Sequence, residues 1–168
     1  MRAGLADRLT DAARRLPIGL TFRVIEGHRS PADQKMIIAA YSARLLDDHP
    51  DLSGAELARL SSRFAAPIEV APHVAGAAVD LTLADEEGAE IDLGTPVDAT
   101  PEDSGGACCF DAPGLSPSAR FSRLLLAEAL GAAGFVNYPT EWWHWSYGDR
   151  YWALATGAPA ARYDAVPA

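Results

Sequence analysis

The sequence predicts an α+β fold with a mostly antiparallel central sheet and helices packed on it. Helical patterns dominate residues 1–64, period-two apolar alternation appears at residues 78–83, and aromatic strand-like segments follow near the C-terminus. Helices that come first and strands that follow later are typical of the α+β class. A length of 168 residues suits one compact core, so we expect residues 1–168 to form a single domain.

The first half of the chain carries clear helix-start signals. Residues 5–16 place leucines and alanines at helical spacing, and residues 20–25 are β-branched and bounded by glycines, which predicts a helix and then a strand. Ser30 before a proline predicts the N-cap of a helix that runs to about residue 47. The capping-box pattern that begins at Ser53 predicts a third helix ending near Phe64.

Beyond residue 77 the apolar period changes from helix to strand. Residues 78–83 alternate apolar and polar side chains, and an acidic turn leads to a predicted partner strand at residues 89–93. Residues 94–116 are rich in Gly, Pro, Asp and Ser. A loop of that length is either functional or mobile, and whether it closes over a ligand as a lid is left open.

The last part of the chain predicts one more helix and a hairpin. Ser116 before a proline opens a helix that continues to about residue 130. Residues 142–147 and 151–156 flank Gly-Asp-Arg at residues 148–150, which predicts two antiparallel strands joined by a tight turn.

Composition excludes several classes of function. The net charge of −9 opposes contact with phosphate backbones and anionic membranes, so we expect neither nucleic acid nor membrane as a partner. No apolar run approaches the ~18 residues of a membrane span, and the N-terminus lacks the apolar core of a signal peptide. The only cysteines, Cys108 and Cys109, are adjacent and give no disulfide framework. We therefore predict a cytoplasmic protein with an inert cysteine pair.

Two histidines and one aspartate form a candidate metal site. His73 and Asp80 are separated by six residues, and His144 lies in the aromatic segment Glu-Trp-Trp-His. Imidazole nitrogen and carboxylate oxygen are typical Zn²⁺ ligands, and three of them leave a fourth position for water, as in catalytic sites. Gly76 would allow a tight turn between His73 and the strand that carries Asp80. The alternative is that both histidines are ordinary structural side chains.

Glu141 and Arg29 complete the candidate catalytic set. A carboxylate three residues from a ligand can accept a proton from a zinc-activated water and pass it to a leaving amine. Strict alternation would turn Glu141 away from His144, so we expect Glu141 just before the strand, where the backbone is free to turn. Arg29 would stabilise an oxyanion, although a surface ion pair with Glu26 or Asp33 is the alternative.

Three motifs resemble the VanX-type D-alanyl-D-alanine dipeptidases, which belong to the zinc DD-peptidases with a Hedgehog-like fold. They are Glu-Gly-His-Arg-Ser-Pro at residues 26–31, His73-x6-Asp80, and Glu-Trp-Trp-His-Trp at residues 141–145. The resemblance implies one Zn²⁺ per chain on His73, Asp80 and His144, with Glu141 as general base and acid. It implies Arg29 as transition-state stabiliser and hydrolysis of the free dipeptide to two D-alanines, in cell-wall precursor metabolism or glycopeptide resistance.

The substrate contacts that the resemblance implies are less complete. Asp92 resembles the acid that holds the substrate ammonium group, and Trp142 is a candidate pocket wall. Ala71 and Pro72 stand where the family has hydroxyl side chains, and the chain begins close to its first helix, without the family's N-terminal wall. A second hypothesis is therefore a zinc peptidase that cleaves another D-amino-acid-containing cell-wall or natural-product peptide.

A third hypothesis is a zinc-binding interaction domain without catalysis, against which the presence of Glu141 counts. The partner that we expect is a small peptide substrate, and a homo-oligomer is left open.

Overall fold

The computed structural model describes residues 1–165 and confirms the α+β class. Its helices are α1 (Ala3–Ala13), α2 (Pro31–Asp48), α3 (Gly54–Ser61), α4 (Pro117–Ala132) and α5 (Arg150–Thr156), with a short 3₁₀ turn at Ile68–Val70. Its strands are β1 (Thr21–Glu26), β2 (Ala78–Ala84), β3 (Val136–Tyr138) and β4 (Glu141–Ser146). The four strands form one antiparallel sheet in the order β1-β2-β4-β3.

Local capping explains where the predicted helices begin. The Ser30 side chain accepts from Asp33 N at the start of α2, and Ser116 accepts from Ala119 N at the start of α4. Ser53 and Glu56 form the complete capping box of α3. Each cap satisfies backbone N–H groups that a helix leaves unpaired, and all three predicted helix starts are confirmed.

One face of the sheet packs on α1 and α4 and forms the core. Val79, Leu81 and Leu83 of β2 lie in one buried cluster with Leu5 of α1 and Leu126 of α4. Because side chains alternate along a strand, Asp80 points to the opposite face of β2. The candidate ligand Asp80 therefore lies on the side of the sheet that faces away from this core.

One sequence prediction about the strands is wrong, one is confirmed only in part, and one strand was missed. Residues 151–156 belong to α5 and not to a hairpin strand, because Asp149 caps the helix by accepting from Tyr151 N and Trp152 N. The segment 89–93 makes an isolated antiparallel bridge between Glu90 and Ala84, and Ile91 N donates to Leu83 O at 2.9 Å. The pairing goes no further, because the chain enters a turn at Asp92, whose Oδ1 accepts from Gly94 N. The short strand β3 was not predicted.

Hydrogen bonds from helix α4 hold the long segment 94–116 against the rest of the protein. Arg123 of α4 is 1% exposed and donates to the carbonyl oxygens of Leu93, Ala107 and Cys109 at 2.8, 2.8 and 2.6 Å. Buried backbone carbonyls need donors, and one guanidinium supplies several. The path of this loop is therefore fixed by a buried arginine.

No helix in the described part of the chain has both the length and the apolar character that crossing a bilayer requires.

Candidate metal centre and catalytic site

Strand pairing places the first two candidate ligands side by side. Asp80 of β2 pairs directly with His144 of β4, and Glu26 of β1 pairs with Asp80 from the other side. Directly opposed side chains on adjacent antiparallel strands lie on the same face of the sheet. Glu26, Asp80 and His144 therefore form a polar row across three strands.

His73 reaches this row from a tight turn that precedes β2. Gly76 N donates to His73 O at 2.9 Å, Ala77 N donates to Pro72 O at 3.0 Å, and Gly76 itself has φ +64°. That left-handed conformation favours glycine. The turn folds the His73 ring back over the start of β2, as the sequence predicted for Gly76.

The three side chains converge on one point. His73 Nε2 lies 3.1 Å from His144 Nδ1 and 3.2 Å from Asp80 Oδ2, and His144 Nδ1 lies 3.1 Å from Asp80 Oδ1. Zinc–ligand bonds of about 2.0–2.1 Å in a tetrahedron separate neighbouring ligand atoms by roughly 3.3 Å. Asp80 Oδ1 is buried and accepts no hydrogen bond from residues 1–165, which is the state of an atom reserved for another partner.

The tautomer of His73 also argues for a cation. His73 Nδ1 lies 2.6 Å from the carbonyl oxygen of Gly27, which can only accept, so Nδ1 carries the proton. In the neutral ring Nε2 then presents a lone pair towards a carboxylate oxygen. Two such acceptors in contact need a proton or a metal ion between them. The Gly27 bond orients the ring, as outer hydrogen bonds do at metal sites. The donor set therefore fits Zn²⁺.

Glu141 lies beside this cluster. It is the first residue of β4, and its Oε2 is 3.8 Å from His144 Nδ1. Burial raises the pKa of Glu141 well above its usual range; the charges of Asp80 and Asp98 raise it further, and Arg29 opposes them. A buried carboxyl group with a raised pKa is suited to accept and return a proton.

A bulge brings Glu141 and His144 to the same cavity. Tyr138 pairs with Glu141 and Asn137 with Trp145, so the register of β3 against β4 shifts between Asn137 and Tyr138. The prediction that Glu141 precedes the strand is therefore wrong, because this bulge breaks the strict alternation within β4 itself. Asn137 Nδ2 fills the bulge and lies 2.9 Å from Glu141 O and 3.0 Å from His144 O.

Arg29 lines the same cavity in a fixed orientation. Its Nε and Nη2 donate to the two carboxylate oxygens of Glu26, and its Nη1 donates to Gln34 Oε1 at 2.9 Å. Burial alone would lower the pKa of Arg29, but the bond to Glu26 and the charges of Glu26, Asp80 and Asp98 together outweigh it and raise that pKa. The ion pair with Glu26 and a place at the site are therefore not alternatives, because Arg29 has both.

The two weaker sequence candidates do not line the cavity. Asp92 is exposed, and its Oδ1 accepts from Gly94 N at 2.7 Å within its own turn. Trp142 is buried, and its Nε1 donates to Thr95 Oγ1 at 2.8 Å. The neighbouring Trp143 and the later Asp98 line the cavity in their place.

Asp98 is the acidic group that the sequence reasoning missed. Its backbone has φ +63°, a conformation that aspartate tolerates better than most residues. Partial burial, Asp80 and Glu26 raise the pKa of Asp98, and Arg29 lowers it, so these groups are electrostatic neighbours. A carboxylate six residues beyond Asp92 in a glycine- and proline-rich loop gave no distinguishing pattern.

Tyr138 and Asn137 were also missed. The Tyr138 ring lies edge-on to the His144 ring at a centroid distance of 5.9 Å and lines the cavity. Both residues belong to the three-residue strand β3, which is too short to show a period.

Comparison with known proteins identifies the family of this chain. The family model described as D-ala-D-ala dipeptidase matches residues 55–160, which include the three candidate ligands and Glu141. A D-alanyl-D-alanine dipeptidase of Synechocystis sp. is 35% identical over 97 residues, which cover 52% of this chain and 38% of that protein. A D-alanyl-D-alanine dipeptidase of Escherichia coli is 40% identical over 72 residues, which cover 43% of this chain and 35% of that protein.

The aligned parts thus span between a third and two-fifths of these relatives, and Arg29 lies before the matched residues. The match nevertheless covers most of this chain, and the motif residues inside it converge at one buried cluster. The chain belongs to the D-ala-D-ala dipeptidase family.

Proposed function

We propose that this protein hydrolyses the D-alanyl-D-alanine dipeptide to two D-alanines with one Zn²⁺ held by His73, Asp80 and His144. The observation that carries the proposal is the position of Glu141, whose buried carboxylate lies 3.8 Å from a candidate metal ligand inside a cavity. A domain that only binds zinc does not require a second buried acidic side chain beside the metal ligands. Hydrolysis of an amide requires one as general base and acid.

The residues divide the chemistry between them. Zn²⁺ at this site would polarise the scissile carbonyl group and acidify a water molecule. Glu141 takes the proton of the attacking water as the C–O bond forms, and it gives a proton to the leaving nitrogen as the C–N bond breaks. Its raised pKa supports the second step, because a carboxyl group that binds its proton more tightly than usual can hold it until the leaving nitrogen takes it.

Arg29 and Asp98 hold charges of opposite sign at the same end of the cavity. The Arg29 guanidinium, fixed by Glu26, would stabilise the negative charge that develops on the carbonyl oxygen. The Asp98 carboxylate would pair with the substrate ammonium group, the role that the sequence analysis gave to Asp92. Asp98 is favoured for this role because it lines the cavity and Asp92 does not.

The test is release of D-alanine from D-Ala-D-Ala by protein loaded with one equivalent of Zn²⁺. Release that stops with a chelator, returns with zinc and is absent from the Glu141→Gln variant would support the proposal. No release by the folded, zinc-loaded protein would contradict it and would favour a different peptide substrate.

A second candidate is a peptidase of the same mechanism with another peptide substrate. It is favoured by Ala71 and Pro72, which offer no side-chain hydroxyl beside His73.

The free cysteines Cys108 and Cys109 suit a reducing compartment, so we propose the cytoplasm as the site of action. The physiological role that we propose is removal of a cell-wall precursor or recovery of D-alanine.

A further inference from the structure

The cavity beside the metal centre is larger than a dialanine needs. Its volume is about 720 Å³. Sites of roughly 300–1,000 Å³ usually hold molecules of drug size, whereas dialanine offers only two methyl side chains. Much of the space therefore lies beyond the metal ligands and Glu141.

An apolar wall lines this extra space. This apolar wall consists of six side chains, Ile37, Phe64, Pro67, Val70, Pro72 and Leu154. Leu154 of α5 is 79% exposed and Val70 is 40% exposed, although they come from different parts of the chain and face one cavity. Apolar side chains gathered around a concave surface and left open to solvent are typical of a binding site.

An arginine side chain without a hydrogen-bond partner among residues 1–165 also lines the cavity. Arg150, the first residue of α5, lines the cavity, and its guanidinium makes no hydrogen bond or ion pair with any residue between 1 and 165. The other cavity arginine, Arg29, is occupied by Glu26 and Gln34. Arg150 lies on the same side of the cavity as Val70 of the apolar wall, because these two residues also line a smaller neighbouring cavity that Asp98 and Glu141 do not reach.

We propose that the apolar wall and Arg150 form a subsite for a free C-terminal residue with an apolar side chain larger than methyl. The side chain would pack on the wall, and its carboxylate would pair with Arg150. The opposite end of the peptide would then carry its ammonium group to Asp98. The preferred substrates would be dipeptides whose second residue is bulky and apolar. This inference rests on the proposed function and extends its substrate class beyond D-Ala-D-Ala.

The first measurement is binding, which does not depend on turnover. Zinc-loaded Glu141→Gln protein is titrated calorimetrically with D-Ala-D-Ala, D-Ala-D-Leu and the C-terminal amide of each. We expect D-Ala-D-Leu to bind at least about tenfold more tightly than D-Ala-D-Ala, since one added methylene in an apolar pocket is worth about tenfold or more. We expect each amide to bind at least about tenfold more weakly than its acid, because it cannot form a charged pair.

Variants of the subsite locate the effect. In the same background Arg150→Met should remove the difference between acid and amide, and Arg150→Lys should restore part of it. Leu154→Gln should reduce the ratio between the affinities for D-Ala-D-Leu and D-Ala-D-Ala. The controls are Arg15→Met, another exposed arginine, and Leu124→Gln, another exposed helical leucine that is 54% exposed.

Two results with the wild-type subsite would overturn it. One is equal affinity for each dipeptide and its C-terminal amide, and the other is equal affinity for D-Ala-D-Leu and D-Ala-D-Ala. A response to Arg15→Met as large as the response to Arg150→Met would also overturn the subsite. Turnover of the four peptides by the wild-type protein is a separate result. If the protein binds D-Ala-D-Leu through Arg150 and cleaves none of the peptides, the proposed hydrolysis fails and the subsite stands.

Discussion

The side-chain amide of Asn137 donates to the backbone carbonyl oxygen of Glu141 at 2.9 Å, across the bulge between β3 and β4. The same Nδ2 atom lies 3.0 Å from the carbonyl oxygen of His144. One amide group thus holds together the residue that we propose as the base and a candidate ligand. It maintains the backbone course that directs both side chains into the cavity.

Replacing Asn137 with Ala should loosen this bulge. We expect zinc affinity to fall by about tenfold or more, the scale on which outer supports of metal ligands act. Zinc affinity measured by competition with a chelator would test this. The control is Thr140→Ala, which removes a hydrogen bond to Arg63 O from the same connection without touching the bulge. Equal zinc affinity in the Asn137 variant and the wild type would contradict this role.

The Glu141→Gln variant should separate metal binding from hydrolysis. Glu141 is proposed as a proton carrier and not as a ligand, so the variant should retain one zinc per chain. Its kcat should fall by about a hundredfold or more, as is usual when a general base is removed. Metal content by atomic absorption and D-alanine release measure the two properties. If zinc is lost together with activity, Glu141 acts as a ligand and the proposed division of roles fails.

Asp98 and Asp92 should respond differently to the same substitution. Asp98→Asn should raise KM for D-Ala-D-Ala by about tenfold, because it removes a charge opposite the substrate ammonium group. Asp92→Asn should leave KM unchanged, since Asp92 is occupied by Gly94 N outside the cavity. An N-acetylated dipeptide, which has no ammonium group, should show no added loss with Asp98→Asn. A KM effect confined to Asp92 would reverse this assignment.

The stabilisation by zinc should increase with pH. Burial alone would lower the pKa of His73, but the charge and the hydrogen bond of Asp80, together with the bond to Gly27 O, outweigh it and raise that pKa. In the metal-free protein the protonated His73 therefore stabilises the fold fully below its unfolded pKa of about 6.5, and this contribution is lost as the pH rises through the folded value.

Asp80 acts with the opposite sign. Burial would raise its pKa, but the two histidines outweigh that effect and lower it. Its contribution is present above the unfolded pKa of about 3.9 and is lost as the pH falls. The metal-free protein should therefore gain least from zinc near pH 5.5 and most near pH 8.

Thermal unfolding with and without zinc between pH 5.5 and 8 would measure this trend. Asp80→Asn should abolish the dependence, and His49→Gln, at the exposed end of α2, should leave it intact. A zinc-induced rise in Tm that is the same at both ends of this range would contradict the coupling.

Sequence reasoning succeeded where the information is local. Ser30, Ser53 and Ser116 each cap the helix that follows, and a cap needs only a side chain and the next turn of backbone. It failed at residues 148–150, because Gly-Asp-Arg is compatible with a hairpin turn and with an N-cap. The Asp149 bonds to Tyr151 N and Trp152 N decide for the helix.

By itself the sequence determined the starts of α2, α3 and α4, the α+β class and the motifs that carry His73, Asp80, Glu141 and His144. Tertiary structure alone decided that Asp80 pairs with His144, that a bulge held by Asn137 directs Glu141 to the same cavity, and that Asp98 lines that cavity where Asp92 was expected. The reason is physical. Capping and alternation act within a few residues, whereas strand register and the path of a loop around a buried arginine depend on groups far apart in the chain.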